Sequence, residues 1–358
     1  MRAGKVLWWR VAAAAMVLGV AFIAVGFAMG AMGGYATLGV GGFRIGSHGD
    51  GSGVRLAETG LEPFANVIVR TSEAKVQLIP SDRYGIDAYL PESRRPIEWG
   101  VDGGTLTVGA ADGGGFSFRL FDLGFMLEGG SDYYVRIYYP RDAAFESVDV
   151  RTASGTVDVE APYVASLSLV TASGDVRADV GGFQTAYVKT ASGKARFAGT
   201  GSGDASINIT STSGRVDAAV AGCSELTVGS VSGKVAVVCE GHMNKVRLNA
   251  VSGSLDFKGA TWAELRAETV SGGIALNGDM AGGKEGGVTY AKSVSGKVTV
   301  SLAGGRDGYG YSMSSTSGSI TLDGVRVYSP ARRTASEPGG NEVTISTVSG
   351  SIRLDMGK

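Results

Sequence analysis

Apolar and polar residues alternate with period two along most of this chain, and the alternation itself recurs about every 20 residues. Ten Ser-Gly dipeptides mark the recurrence, beginning at Ser154, Ser173, Ser192, Ser213, Ser232, Ser252, Ser271, Ser295, Ser317 and Ser349. Four residues before each serine stand Val150, Leu169, Val188, Ile209, Val228, Leu248, Ala267, Ala291, Met313 and Ile345. Three residues after it stand Val157, Val176, Ala195, Val216, Val235, Leu255, Ile274, Val298, Ile320 and Ile352. A second apolar column lies two residues further on, and the position between the two is mostly polar, as at Asp158, Arg177, Arg196 and Asp217. Period two puts successive side chains on opposite faces of a strand. Each repeat therefore predicts two short strands joined by a sharp bend, with no helical segment between. That pattern predicts an all-β fold, a parallel β-helix or closely related β-solenoid of ~20-residue repeats. Ten coils at about 4.8 Å each would stack to roughly 50 Å.

The bends fall at Gly155, Gly174, Gly193, Gly214, Gly233, Gly253, Gly272, Gly296, Gly318 and Gly350. Two reasons predict glycine there. It takes positive φ without steric penalty, and its missing side chain lets successive bends stack closely. Thr or Ser occupies the position two residues before the serine in nine of the ten repeats. These hydroxyls, with those of the serines, are expected to form hydrogen-bonded ladders at the corner.

The chain before the repeats is also β in pattern. Val67, Val69, Val76 and Leu78 alternate with polar residues, and residues 71–76 look like a degenerate repeat that has lost its glycine. Further strands are predicted at 86–90, 105–108 and 133–139, so 61–140 is expected to form a β entry or capping region ahead of the solenoid at 141–358. Within it, glycines at 113–115 and 129–130 bracket Phe116, Phe118, Phe121 and Phe125. This apolar segment reads either as a cover for the open end of the core or as a contact loop, touching a membrane or a partner. Later the period stretches, with longer loops at 278–287 and 328–341 and an exposed excursion expected at 329–334. The chain stops four residues after Leu354 without an obvious cap. An open last coil would offer unpaired strand edge and a route to self-association.

Residues 11–32 carry no charge, and Arg2, Lys5 and Arg10 precede them. Such a stretch spans roughly 33 Å as a helix, enough to cross a bilayer core. Residues 1–33 are therefore expected to be a cytoplasmic stub and a transmembrane anchor, with all that follows outside the cytoplasm. The alternative is a cleaved signal peptide, although the apolar stretch is long for one. Residues 34–60 are Gly-rich and read as a flexible linker.

Charge and chemistry add mostly exclusions. A net charge of -1 gives no drive towards nucleic acid. With two histidines and two cysteines in 358 residues, a multi-His metal site has almost nothing to draw on. Cys223 and Cys239 lie 16 apart, which leaves open a bridge across stacked loops or two buried free thiols. Asp158, Asp217 and Asp256 share a column, but Arg177 and Arg196 interrupt it. The mixed column reads as cross-strand pairing rather than the spaced carboxylates of a glycosidase cleft. No cofactor is implied, and the chain is not expected to be an enzyme.

The Thr-x-Ser-Gly-x-Val unit, as in Thr171-Ala172-Ser173-Gly174-Asp175-Val176, resembles the repeat of a bacterial family of unknown function, DUF4097, which also carries an adhesin label. The strand ending at Pro140 just before the first repeat and the N-terminal anchor strengthen the resemblance, which covers about residues 61–358. It implies a β-solenoid on the cell envelope and brings no catalytic residues with it. The reading is a single-pass, membrane-anchored, extracytoplasmic solenoid that presents a surface to an envelope ligand or a membrane protein. Alternatives are an envelope-stress sensory module acting through a membrane partner and a polysaccharide-cleaving β-helix. Function is expected where the period breaks, before Ser154 and after Gly278.

Overall fold

The alternation becomes strand after strand in a computed structural model that describes residues 53–91, 97–110, 133–281, 286–335 and 340–357. These fall within one unit, Gly53–Ala110 with Asp132–Lys358. Apart from a 3-10 turn at Arg306–Gly308, their regular structure is β. Glu225–Ser230 enters the bend of Ser232 with alternate side chains buried, and Val235–Ala250 leaves it. Leu248 pairs in parallel with Val228 on one side and Ala267 on the other. Val235 likewise lies between Val216 and Leu255. The apolar columns are thus ladders filling one core that runs from Phe64 to Met356. Where the core holds large rings, glycine makes room. Phe257 and Trp262 pack edge to face at 5.6 Å, and a Cβ on Gly259 would collide with the Phe257 ring. Trp262 is fully buried, and its indole N–H donates to the hydroxyl of Thr289 at 2.8 Å. Thr289 breaks an otherwise apolar column between Leu265 and Val343 because that donor needs a partner.

The bend glycines are required for one of the two predicted reasons and not the other. None of the ten has positive φ. Instead, the carbonyl oxygen of the neighbouring bend residue occupies the space where a Cβ would project: Gly155 sits over Ala74, Gly174 over Gly155, Gly193 over Gly174, and so on along the stack. The buried hydroxyls complete the contact. Gly193 N–H donates to Thr190 Oγ1 at 2.9 Å, and the Thr190 hydroxyl donates to the Gly174 carbonyl at 3.2 Å. The first of these bonds occurs in nine of the ten Ser-Gly coils. The exception is the coil of Gly253, whose counterpart of Thr190 is Ala250. The serines of the Ser-Gly pairs contribute less than expected. They are mostly exposed, with hydroxyls 3.2–3.5 Å from carbonyls of the adjacent coil.

The order of coils departs from the order of the chain at both ends. Asn66–Thr71 and Lys75–Ser81 form a true coil, with Val67 on Val148 and Val76 on Val157. Its bend residue is Ala74, whose N–H donates to Thr71 Oγ1 at 3.3 Å. Two later strands, Thr105–Ala110 and Tyr134–Pro140, lie on its other side, Val108 against Val69 and Val135 against Val76. Within the expected entry region at 61–140, these strands stack in parallel with those of the repeats. At the other end, the coil of Ser349 is inserted between the coils of Ser295 and Ser317: Ile345 pairs with both Ala291 and Met313.

Short antiparallel strands close the edges. Ile97–Asp102 pairs with Thr105–Ala110. Gly85–Pro91 pairs with Tyr134–Pro140 and in turn with Gly53–Thr59. Val325–Val327 covers Ile320–Leu322, and Ala331–Arg333 covers Tyr309–Ser315. This corrects two expectations. The last coil in sequence is internal rather than open, and part of the 329–334 excursion is a paired strand. The linker expected over 34–60 also ends sooner, since Gly53–Thr59 is a strand. Among the described residues no helix is long and apolar enough to cross a membrane. The expected anchor at 11–32 and the segment of Phe116, Phe118, Phe121 and Phe125 lie outside the described residues.

Replacing Gly193 with Ala forces two coils apart and is expected to cost about 2 kcal/mol or more in urea unfolding. Gly100→Ala, where a Cβ meets open space, is the control; equal losses in the two variants would contradict the stacking contact. Ala250→Ser supplies the missing acceptor for Gly253 N–H and should raise stability by about 1 kcal/mol. A lowered midpoint would count against the hydroxyl ladder.

Candidate functional site

Some charged side chains on the outer faces of the solenoid pair with one another. In the column read as cross-strand pairing, Asp217 meets Lys194 at 3.8 Å, Arg196 at 4.0 Å and Arg215 at 2.7 Å, and Lys234 meets Asp256 at 3.7 Å. These groups are partly exposed, so each pair adds little stability, but their carboxylates are engaged. Cys223 and Cys239 are both free and buried. Burial pushes the Cys223 thiol up to about 11 and the Cys239 thiol up to about 12. They are core side chains in a thiol state, poor nucleophiles. Among the described residues no group of three or more His, Cys, Asp or Glu is placed to hold a metal ion.

A cavity of about 460 Å³ opens where the period stretches, on the side of the coil where chain leaving one bend returns towards the next. Asp279, Met280, the segment Gly304–Tyr309 and Asn341 line it. Each polar group is held by a specific contact. Asp279 Oδ1 accepts from the Met280 N–H at 2.8 Å and from the Tyr309 hydroxyl. Burial, followed by the Asp279 hydrogen bond and charge, holds the Tyr309 phenol well above its ordinary range, so it stays a donor. A Cβ at position 304 would overlap that hydroxyl, which accounts for Gly304. Arg306 is tied to Asp323 through Nε at 2.8 Å and Nη2 at 2.5 Å. Asp307 pairs with Arg333 at 2.9 Å. Asn341 Oδ1 accepts from Gly287 N–H at 2.6 Å. A second, smaller hollow of about 300 Å³ lies near the other end, lined by Tyr139, Arg141, Glu160 and Asp179 among others.

The sequence marked the loops 278–287 and 328–341, which hold Asp279, Met280 and Asn341, as breaks, but not the Gly304–Tyr309 wall or the meeting of the three. Asp279 and Tyr309 are 30 apart, and Asn341 enters only because its coil is inserted out of order. The available signal was local: Gly304, Gly305 and Gly308 enclose Arg306 and Asp307, an unusual density of glycine and charge outside a bend. The bend glycines themselves line no part of the cavity.

A family model described as Toastrack DUF4097 matches residues 65–282. No curated protein matches the chain. Among solved structures, one described as a putative cell adhesion protein from Clostridium sporogenes ATCC 15579 is 11% identical. The alignment covers 85% of this chain and 100% of that one, with a TM-score of 0.19, a value too low to carry an argument.

The thiols give a direct check on this packing. Neither cysteine should react with Ellman's reagent at pH 8 until urea unfolds the chain; prompt reaction of either in the folded protein would contradict its burial. Their contribution to stability is intact below pH 9, the ordinary thiol value, and is lost as pH rises towards about 12.

Proposed function

The chain belongs to the Toastrack DUF4097 family, and on that premise we propose that it is an adhesin-like binding module rather than an enzyme. The solenoid is the scaffold and the cavity of Asp279, Tyr309 and Asn341 is its recognition element. One observation carries this reading. The stack is uniform through the Ser-Gly coils, and where it departs from the repeat it forms a cavity whose polar groups are fixed by neighbours. A binding site gains from such fixing, because less ordering is left for the moment of contact. Of the groups lining the cavity, Tyr309 is kept protonated and Asp307 is paired.

Location belongs to the same proposal. The uncharged stretch 11–32 behind a basic flank suits a single-pass anchor with its N-terminus in the cytoplasm. The unit that follows would then face the envelope or the exterior, where an adhesin-like module meets its ligand.

Full-length protein in nanodiscs, mixed with isolated cell-envelope fractions, tests the reading. Saturable retention without release of reducing ends or any other hydrolysis product is the expected result. Release of product would reverse the assignment to a cleaving enzyme, and absence of retention would refute binding.

A further inference from the structure

We propose that the cavity between Asp279, Arg306 and Asn341 recognises a neutral sugar unit. The proposal rests on the binding reading above and narrows it to a ligand class. The size is suitable: about 460 Å³ lies in the lower part of the range of small-ligand sites, roughly 300–1,000 Å³, enough for one or two sugar rings.

The donors and acceptors left open are those a hydroxyl group needs, since a hydroxyl both donates and accepts. Asp279 Oδ1 is saturated by Tyr309 and the Met280 N–H, which fixes the carboxylate and leaves Oδ2 without a partner among the described residues. Asn341 is oriented by Gly287 through Oδ1, so its two Nδ2 hydrogens are left to donate among the described residues. Arg306 uses Nε and Nη2 on Asp323 and keeps Nη1. An acceptor fixed on one side and amide and guanidinium donors on the others form a complementary set for adjacent hydroxyls.

Charge selects against anions. Asp323 pairs with Arg306 and Arg333 with Asp307, while Asp279 has no ion-pair partner among the described residues. Among the described residues, a phosphate or a uronate would meet the Asp279 carboxylate and cations already paired to Asp323 and Asp307, so a neutral ring is favoured. The wall is also open: a Cβ at Gly305 or Gly308 would meet nothing within 4 Å, so backbone is exposed there for a ring to approach.

The same openness supplies a blocking variant that leaves the fold alone. Gly305 has an ordinary extended backbone at φ -67 and free space ahead of it, so Gly305→Leu fills the cavity without strain. Full-length protein in nanodiscs is titrated by calorimetry with methyl glycosides of glucose, galactose, mannose and N-acetylglucosamine, and with glucuronate as the anionic comparison. At least one neutral glycoside should bind with a Kd on the order of 1 mM or tighter, and glucuronate more weakly. Gly305→Leu should abolish binding, and Asp279→Asn should weaken it about tenfold or more, with the thermal midpoint of Gly305→Leu unchanged.

Failure of every neutral glycoside to bind, preference for glucuronate, or full binding by Gly305→Leu would overturn the proposal. If envelope material still retains the protein but neutral sugars do not compete, the sugar assignment falls and the binding reading stands. If retention is absent as well, both fall.

Discussion

The closest constraint in this protein is the contact between one bend and the next. A glycine carbonyl oxygen lies where the Cβ of the adjoining coil's bend residue would stand, and a buried hydroxyl links the two through a pair of hydrogen bonds. The contact sets both the register and the approach of the coils at that corner. Once it is fixed, the apolar residues on either side fall into ladders, because the strands leaving successive bends run parallel and in register. The core therefore follows from the corner. Thr289 and the glycines beside Phe257 and Trp262 are adjustments made within the frame the corner imposes.

A parallel stack has two exposed ends, and each end is an invitation to further pairing. Here both are managed in the same way. A coil later or earlier in the chain is placed out of order, and short antiparallel strands run along the outermost edges. The insertion of the Ser349 coil between those of Ser295 and Ser317 puts the C-terminal strands, Asn341–Thr347 and Ile352–Met356, under cover on both sides. Segments near the end of a chain otherwise lose order first. The same insertion brings Asn341 to Asp279 and Tyr309, so one topological choice both protects the terminus and assembles the cavity.

What could be read in advance was what the repeat states locally. The apolar columns, the bend positions and the inner hydroxyls were all legible, because period two and a fixed glycine are one-dimensional signals. The reason for the glycine was only half legible: sequence shows that a side chain is excluded, but not whether backbone dihedral or a neighbour excludes it. The order of the last coils was not legible at all. Met313 and Ile345, or Ile320 and Ile352, are interchangeable in their columns, so nothing local distinguishes chain order from stacking order. The degenerate copy at 71–76 was recognised, yet its place inside the stack depended on a later strand, Thr105–Ala110, passing beneath it. The cavity was located only as a break in the period, since Asp279, Tyr309 and Asn341 meet through tertiary stacking alone.

Amide hydrogen exchange at the bend glycines reads the central contact most directly. Each bend N–H is tied to an inner hydroxyl, except at Gly253, where Ala250 offers none. Protection should therefore be high and similar at internal bends, including Gly350 despite its place eight residues from the end of the chain, and lowest at Gly253. Fast exchange at Gly350, rising towards the C-terminus as in a fraying end, would contradict the inserted coil. Protection at Gly253 equal to that of its neighbours would contradict the hydroxyl link.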